Sequence, residues 1–234
     1  VYSVAGSREQ AGIIFNAAKI MVQQNDDLSA AIQIFQTSLV IKSEFGMGIF
    51  KALSADMKLQ EGLNPTVVLL DETHVQRDGS LYNGLKKNFP KRAEPAFISM
   101  TTAGIKYTWA EELHDKAVKV RDKIIDAPGF LSIIYAADLD GDDFDEEQWK
   151  MANPGWVYLN LDLLRQEAED AKESSTGLSA FRRYHLNKWV GAKVQWLSDD
   201  LWMRGTAGEL VRVEDLKGRH CYVGLDLGST RDTT

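Results

Sequence analysis

The chain has 234 residues, 44% of them hydrophobic and 26% charged, so a packed core is within reach and disorder is not the default. A formal net charge of -7 argues against a protein that coats nucleic acid by wholesale phosphate neutralisation, although a local contact with DNA stays open. Cys221 is the only cysteine, which excludes an internal disulfide and suits a reducing cytosol, and no apolar run approaches the roughly 20 residues of a membrane helix.

Residues 1–5, VYSVA, read as a strand. Ser7 then stands as a helix cap with Gln10 in the capping-box position. Ala11, Ile14, Phe15, Ala18, Met21 and Val22 follow at helical spacing. Residues 32–35, 39–41 and 49–53 read as short strands, the last two joined by FGMG at 45–48.

Residues 60–65 lead into Val67, Val68, Leu69 and Leu70. This apolar run is unbroken, β-branched at its start and too short for a helix, so it is expected to be a buried strand of a parallel sheet. It stops at Asp71 and Glu72. Ligand sites of open α/β sheets lie outside the carboxyl ends of the strands. Two adjacent acids there can take separate roles, one holding magnesium while the next orients or deprotonates an attacking water. The plainer alternative makes Asp71 a helix cap and Glu72 a solvated acid.

Leu81, Leu85 and Phe89 mark a short helix ending before Pro90. Residues 96–100 are a second buried-strand candidate, and they end in Thr101-Thr102-Ala103-Gly104. The strand–helix–strand spacing brings these hydroxyls to the same sheet edge as Asp71 and Glu72, where a γ-phosphate would lie. Taken singly, a threonine-capped turn is the alternative. An amphipathic helix is expected over 107–125 and a further strand over 130–136.

The run DLDGDDFDEE at 138–147 begins like a calcium loop, with Asp138, Asp140 and Asp142 in ligand positions. Its sixth position is Asp143 instead of glycine and its twelfth is Trp149 instead of glutamate, so it reads as a solvated acidic loop that caps the next helix. From Trp149 the pattern turns helical, with MANPGW as a helix end and turn and helices over 161–172 and 178–190. The second of these places Phe181, Tyr184, His185, Leu186 and Trp189 on a packing side and Arg182, Arg183 and Lys188 on a solvated face. His185 reads as a packed residue, not a metal ligand. Residues 222–227 read as a last strand, with Asp226 near its end and Asp232 six residues on. Two readings stay open there: carboxylates that share divalent metals for phosphodiester cleavage, or a phosphate cradle made by residues 226–230.

The ordered series GSREQA, VVLLDETH, ISMTTAG and YVGLDLGSTRD resembles the large terminase subunit of tailed bacteriophages. So do the phrases LSADMKLQEGLNP, MANPGW and FRRYHLNKW between them, and the likeness runs nearly the whole length. The resemblance implies an α/β fold. Residues 1–137 would be a P-loop NTPase-type (ASCE) parallel sheet lacking its Walker A unit, 138–217 a helical linker or lid, and 218–234 the start of an RNase H-like nuclease domain. It also implies a motor that uses ATP with Mg2+ to package double-stranded viral DNA into a preformed capsid, and an endonuclease that cuts concatemeric DNA with Mg2+ or Mn2+.

Under that resemblance Asp71 is the Walker B aspartate on magnesium and Glu72 the carboxylate that activates water. Thr101, Thr102 and Gly104 are the coupling motif, Asp226 is the first nuclease metal ligand and Asp232 a second. The implied partners are double-stranded DNA, the small terminase subunit, the portal protein and further copies in a ring on the capsid, in the host cytoplasm and with no membrane. One departure stands out: no G-x-x-x-x-G-K-[ST] loop occurs in the sequence. Upstream of the acid pair no arginine lies between Arg8 and Arg77, and Lys58 is the cation in the neighbourhood, so an arginine finger stays unassigned. The chain opens and closes in strand-like runs, so it is expected to be a central segment of a longer enzyme and inactive alone. Two alternatives are a DExH helicase, through Asp71-Glu-Thr-His74, and a non-catalytic assembly fragment.

Overall fold

The computed structural model describes residues 1–54, 63–191, 217, 218 and 220. The chain divides into two units, Val1–Val194 and Gln195–Thr234, and of the second only Lys217, Gly218 and His220 are described. The sequence readings at Lys58, Asp226 and Asp232 lie outside the described residues.

Six strands form one sheet: β1 (Tyr2–Ala5), β2 (Ile32–Ile34), β3 (Leu39–Ile41), β4 (Ile49–Ser54), β5 (Val67–Leu70) and β6 (Ala96–Ser99), in the order β2-β3-β4-β1-β5-β6. β4, β1, β5 and β6 run parallel to one another. β2, β3 and β4 pair antiparallel, which a wholly parallel sheet does not contain. The cause is loop length. Residues 35–38 and 42–48 are too few for the crossover of about a dozen or more residues that parallel neighbours need, so the chain can only reverse.

Both faces of the parallel part are covered. Helix α1 (Arg8–Gln23) starts on the expected capping box: Gln10 N donates to Ser7 Oγ and Ser7 N donates to Gln10 Oε1, each at 3.1 Å. It is tied to β1 by Ser3 Oγ, which donates to Ala11 O at 3.0 Å, and it packs Phe15 and Val22 on Leu39 and Phe50. A short helix, α2 (Asp26–Ala31), capped by Asn25, follows where none was expected. On the opposite face Val4, Val68 and Leu70 meet Leu81 and Leu85 of α3 (Ser80–Lys86), with Phe97 and with Trp109 of α4 (Trp109–Arg121) at the margin.

A second core, around Ala137, Trp149, Leu164, Ala168, Ala171, Phe181 and Leu186, holds α5 (Glu146–Ala152), α6 (Leu161–Lys172) and α7 (Ser175–Tyr184) together. Two expectations fail here and a third holds only in part. Residues 130–136 are not a strand. The backbone at its end is paired with the segment after α7 instead: Ala137 N donates to Leu186 O and Tyr135 O accepts from Asn187 Nδ2. The helix expected to reach 190 stops at Tyr184, because Asn187 adopts a left-handed backbone (φ 54°) that no helix can continue through. The solvated reading of the acids and bases holds only in part: Asp138, Asp140, Asp142 and Arg182 are exposed, and Asp145 caps α5 as expected. Asp143, Arg183 and Lys188 are all buried. Lys188 Nζ donates to Asp143 Oδ1 at 2.7 Å and to Gly141 O at 3.1 Å, and Arg182 Nε reaches Asp143 Oδ2 at 2.5 Å. The acidic loop closes on the ammonium of Lys188.

Candidate active site

β5 and β6 are parallel neighbours in register, with Leu70 opposite Ser99, so the chain leaves both at the same sheet edge. The ladder continues past the strand ends. Asp71 N donates to Val4 O at 2.9 Å, Met100 N to Leu70 O at 2.9 Å and Thr73 N to Met100 O at 3.2 Å. These bonds fix the acid pair relative to the threonine turn before any side chain is considered.

Asp71 and Glu72 are both half-buried. Asp71 Oδ1 accepts from Glu72 N at 3.0 Å, the one hydrogen bond of the Asp71 side chain among the described residues. Glu72 sits in the left-handed region at φ 50° and ψ 51°. That conformation costs about 1–2 kcal/mol for a residue with a side chain, and it is imposed by the ladder bonds of Asp71 and Thr73 on either side. The Glu72 side chain is 40% exposed, yet its Oε2 is buried and has no hydrogen-bond partner among the described residues. His74 Nδ1 lies 3.2 Å from that oxygen but outside hydrogen-bonding geometry. A buried acceptor left unmatched is costly.

The two strand tips are clasped. Buried Thr73 places Oγ1 at 2.5 Å from Ser99 Oγ. His74 N donates to Thr101 Oγ1 at 3.0 Å, and His74 Nδ1 lies 2.9 Å from the same oxygen. Thr101 Oγ1 itself donates to Thr102 O at 2.8 Å. Its single proton is therefore used, so His74 must be the donor and carries its proton on Nδ1. Burial pushes the His74 pKa below its usual value; the Glu72 carboxylate opposes this and the Arg183 guanidinium adds to it. The ring is neutral at pH 7.

Gly104 passes through a gap too narrow for a side chain: a Cβ there would lie 2.9 Å from His74 Cβ and 2.9 Å from Trp189 Cζ3. The structure thus brings Asp71, Glu72, Thr101, Thr102 and Gly104 to one edge, as their spacing implied. It adds His74, which the sequence offered only as the last letter of a helicase-like pattern. The charge of Arg183, buried with its Nε unpartnered among the described residues, also acts on the His74 ring; a helix-face pattern gave no signal for it.

His74 and His114 both have pKa values lowered chiefly by burial. The unfolded chain therefore binds their protons first, near pH 6.5. Stability should be full above about pH 7 and fall as the pH drops through about 6.5. His74→Asn should remove part of the slope and leave the His114 part. Denaturation midpoints between pH 8 and pH 5.5 measure this; a midpoint that does not fall contradicts it.

The comparisons with known proteins agree with one another. A family model described as the terminase large subunit ATPase domain matches residues 1–119, and one described as its endonuclease domain matches residues 124–234. The large terminase subunit of Enterobacteria phage HK97 is 31% identical over 246 residues, taking in 100% of this chain and 45% of that protein. Protein YmfN of Escherichia coli is 25% identical over 177 residues, 74% of this chain and 38% of that protein. The crystal structure of the HK97 large terminase superposes with a TM-score of 0.68 at 30% identity, covering 80% of this chain and 39% of that one. The ATPase domain of the Thermus phage P74-26 large terminase shares the fold, with a TM-score of 0.54 at 18% identity over 81% of this chain and 76% of that one. The chain spans less than half the length of the curated relatives it matches. These matches decide against the helicase reading of residues 71–74. With models of the ATPase and the endonuclease domain matching in that order along its length, the chain belongs to the family of large terminase subunits.

Proposed function

We propose that the complete protein is an ATP-driven motor that packages double-stranded viral DNA and an endonuclease that cuts it. The edge formed by the ends of β5 and β6 is then the phosphate side of the ATP site. The observation that carries this is the His74–Thr101 clasp, which holds an acid pair and a double threonine on adjacent parallel strand tips. A carboxylate oxygen available there suits a hard cation: one Asp71 oxygen has no partner among the described residues. Magnesium, when bound with ATP, neutralises phosphate charge.

Asp71 would hold that ion, with its carboxylate oriented by Glu72 N. Glu72, aimed by its left-handed backbone, takes the proton of the attacking water. Neutral His74 keeps Thr101 in place through its Nδ1 proton. Thr101, Thr102 and Gly104 form the turn that senses whether the terminal phosphate is present. We draw the end of the ATPase part at residue 137, with a helical linker over 138–217 and the nuclease from 218. Ala137 being the first residue of the helical core supports the first of these limits.

Asp226 and Asp232 would hold the Mg2+ or Mn2+ of the nuclease; the endonuclease-domain match over 124–234 supports a nuclease there. Family membership supports double-stranded DNA, the small terminase subunit, the portal and a ring of identical copies as partners, and the host cytoplasm as the setting. Among the described residues no helix is long and apolar enough to cross a membrane. The test is magnesium-dependent ATP turnover and DNA cleavage by the complete protein. Asp226→Ala should leave turnover unchanged and stop cleavage. Continued cutting by this variant removes Asp226 from the nuclease site, and a wild type without turnover refutes the motor.

A further inference from the structure

After α7 the chain crosses back to the sheet. Asn187 is the pivot of that crossing. Its left-handed backbone (φ 54°) turns the chain away from the helix axis. Its Oδ1 accepts from Ala103 N at 2.6 Å, a contact between residues 84 positions apart, and its Nδ2 donates to Tyr135 O at 2.7 Å. Trp189 closes the gap over Gly104 and its ring centroid lies 5.4 Å from that of His114 on α4. Val190 then bridges to Ile105 in parallel fashion: Lys106 N donates to Val190 O at 2.7 Å and Val190 N to Gly104 O at 3.4 Å.

The other end of this segment is anchored. Phe181 and Leu186 belong to the helical core, and Lys188 is locked to Asp143. The turn of residues 101–104 is therefore held from two sides. His74, beside the acid pair, grips Thr101; Asn187, rooted in the helices, grips Ala103. A main-chain amide held by a side chain, instead of by a neighbouring strand, can change partner without breaking the sheet ladder.

We propose that Asn187 is the positioning residue through which the turn of residues 101–104 moves α5, α6 and α7 when the terminal phosphate leaves. The inference rests on the ATPase reading above. The chemistry selects asparagine. The position needs an acceptor for Ala103, a donor for Tyr135 and a tolerated left-handed backbone, and one primary amide supplies all three. Aspartate keeps the acceptor and loses the donor. Glycine keeps only the backbone, so it removes both bonds without adding strain.

The experiment uses the complete protein as wild type, Asn187→Gly and Asn187→Asp. ATP hydrolysis, DNA moved per ATP, thermal midpoint and amide exchange with Mg2+ and a non-hydrolysable ATP analogue are measured on each. Asn187→Gly should hydrolyse ATP within about twofold of wild type and move about tenfold less DNA per ATP, a size usual for coupling between sites. Asn187→Asp should regain most of that movement. In wild type the analogue should alter exchange in both 101–106 and 183–190; in Asn187→Gly it should alter only 101–106. Four results overturn the proposal: unchanged movement per ATP in Asn187→Gly, a parallel fall of hydrolysis, movement and thermal midpoint, an Asn187→Asp variant as impaired as glycine, or no response of 183–190 in wild type. A wild type that binds no nucleotide overturns the ATPase reading itself, and it is seen before any variant is made.

Discussion

Glu72→Gln should retain nucleotide binding within about twofold of wild type and lower ATP turnover by at least about a hundredfold, the usual scale for loss of a general base. Glutamine has the same length and branching, so the left-handed backbone at φ 50° carries no new strain. What changes is the chemistry of the carboxylate, whose side chain is 40% exposed. An amide can still hydrogen-bond a water there but cannot accept its proton. Asp71 keeps its contact with the residue 72 main-chain N–H, so the proposed metal ligand is untouched. Equilibrium binding of an ATP analogue and steady-state turnover check the two halves. Undiminished turnover removes Glu72 from the chemistry. Joint loss of binding and turnover would make it a metal ligand instead.

Asp143→Ala should destabilise the fold by about 3–5 kcal/mol, the range for removing one partner of a buried ion pair. The Asp143 and Lys188 side chains are 8% and 6% exposed, so solvent screens them little. Without the carboxylate, the Lys188 ammonium keeps only backbone oxygens at Gly141 and Leu139 while Arg182 faces it unpaired. Lys188→Met should cost less, because Arg182 still meets Asp143 at 2.5 Å. Replacing Asp143 and Lys188 together with apolar residues should recover part of the loss. Urea unfolding of the three variants measures this. A loss under about 1 kcal/mol for Asp143→Ala would place the pair in the class of solvated surface contacts.

The parts of the fold legible in the sequence were those written in local chemistry. Ser7 and Gln10 encode a helix start in four residues, and Val67 to Leu70 can be uniformly apolar only where both faces of a strand are covered. The acid pair and the double threonine could be placed together because each follows such a strand with one short helix between. The antiparallel hairpins of β2, β3 and β4 were also encoded, in loop lengths that forbid a crossover.

What stayed hidden depends on partners distant in sequence. Residues 130–136 have the apolar content of a strand, but a strand also needs a ladder partner, which composition does not reveal. Lys188 looked solvated because its counter-ion, Asp143, lies 45 residues away. The same holds for the site. Asp71, Glu72 and Thr101 could be picked out by residue type and position, whereas Asn187 carries no motif and acts through a contact made 84 residues away.

The most direct test of the central claim is a crystal structure of the complete protein with Mg2+ and a non-hydrolysable ATP analogue. The terminal phosphate should lie between the Asp71–Glu72 pair and the Thr101 hydroxyl, with a water within about 3 Å of the Glu72 carboxylate. A nucleotide bound with its terminal phosphate more than about 10 Å from both strand tips, beyond the reach of a hydrogen bond or one bridging water, would contradict it.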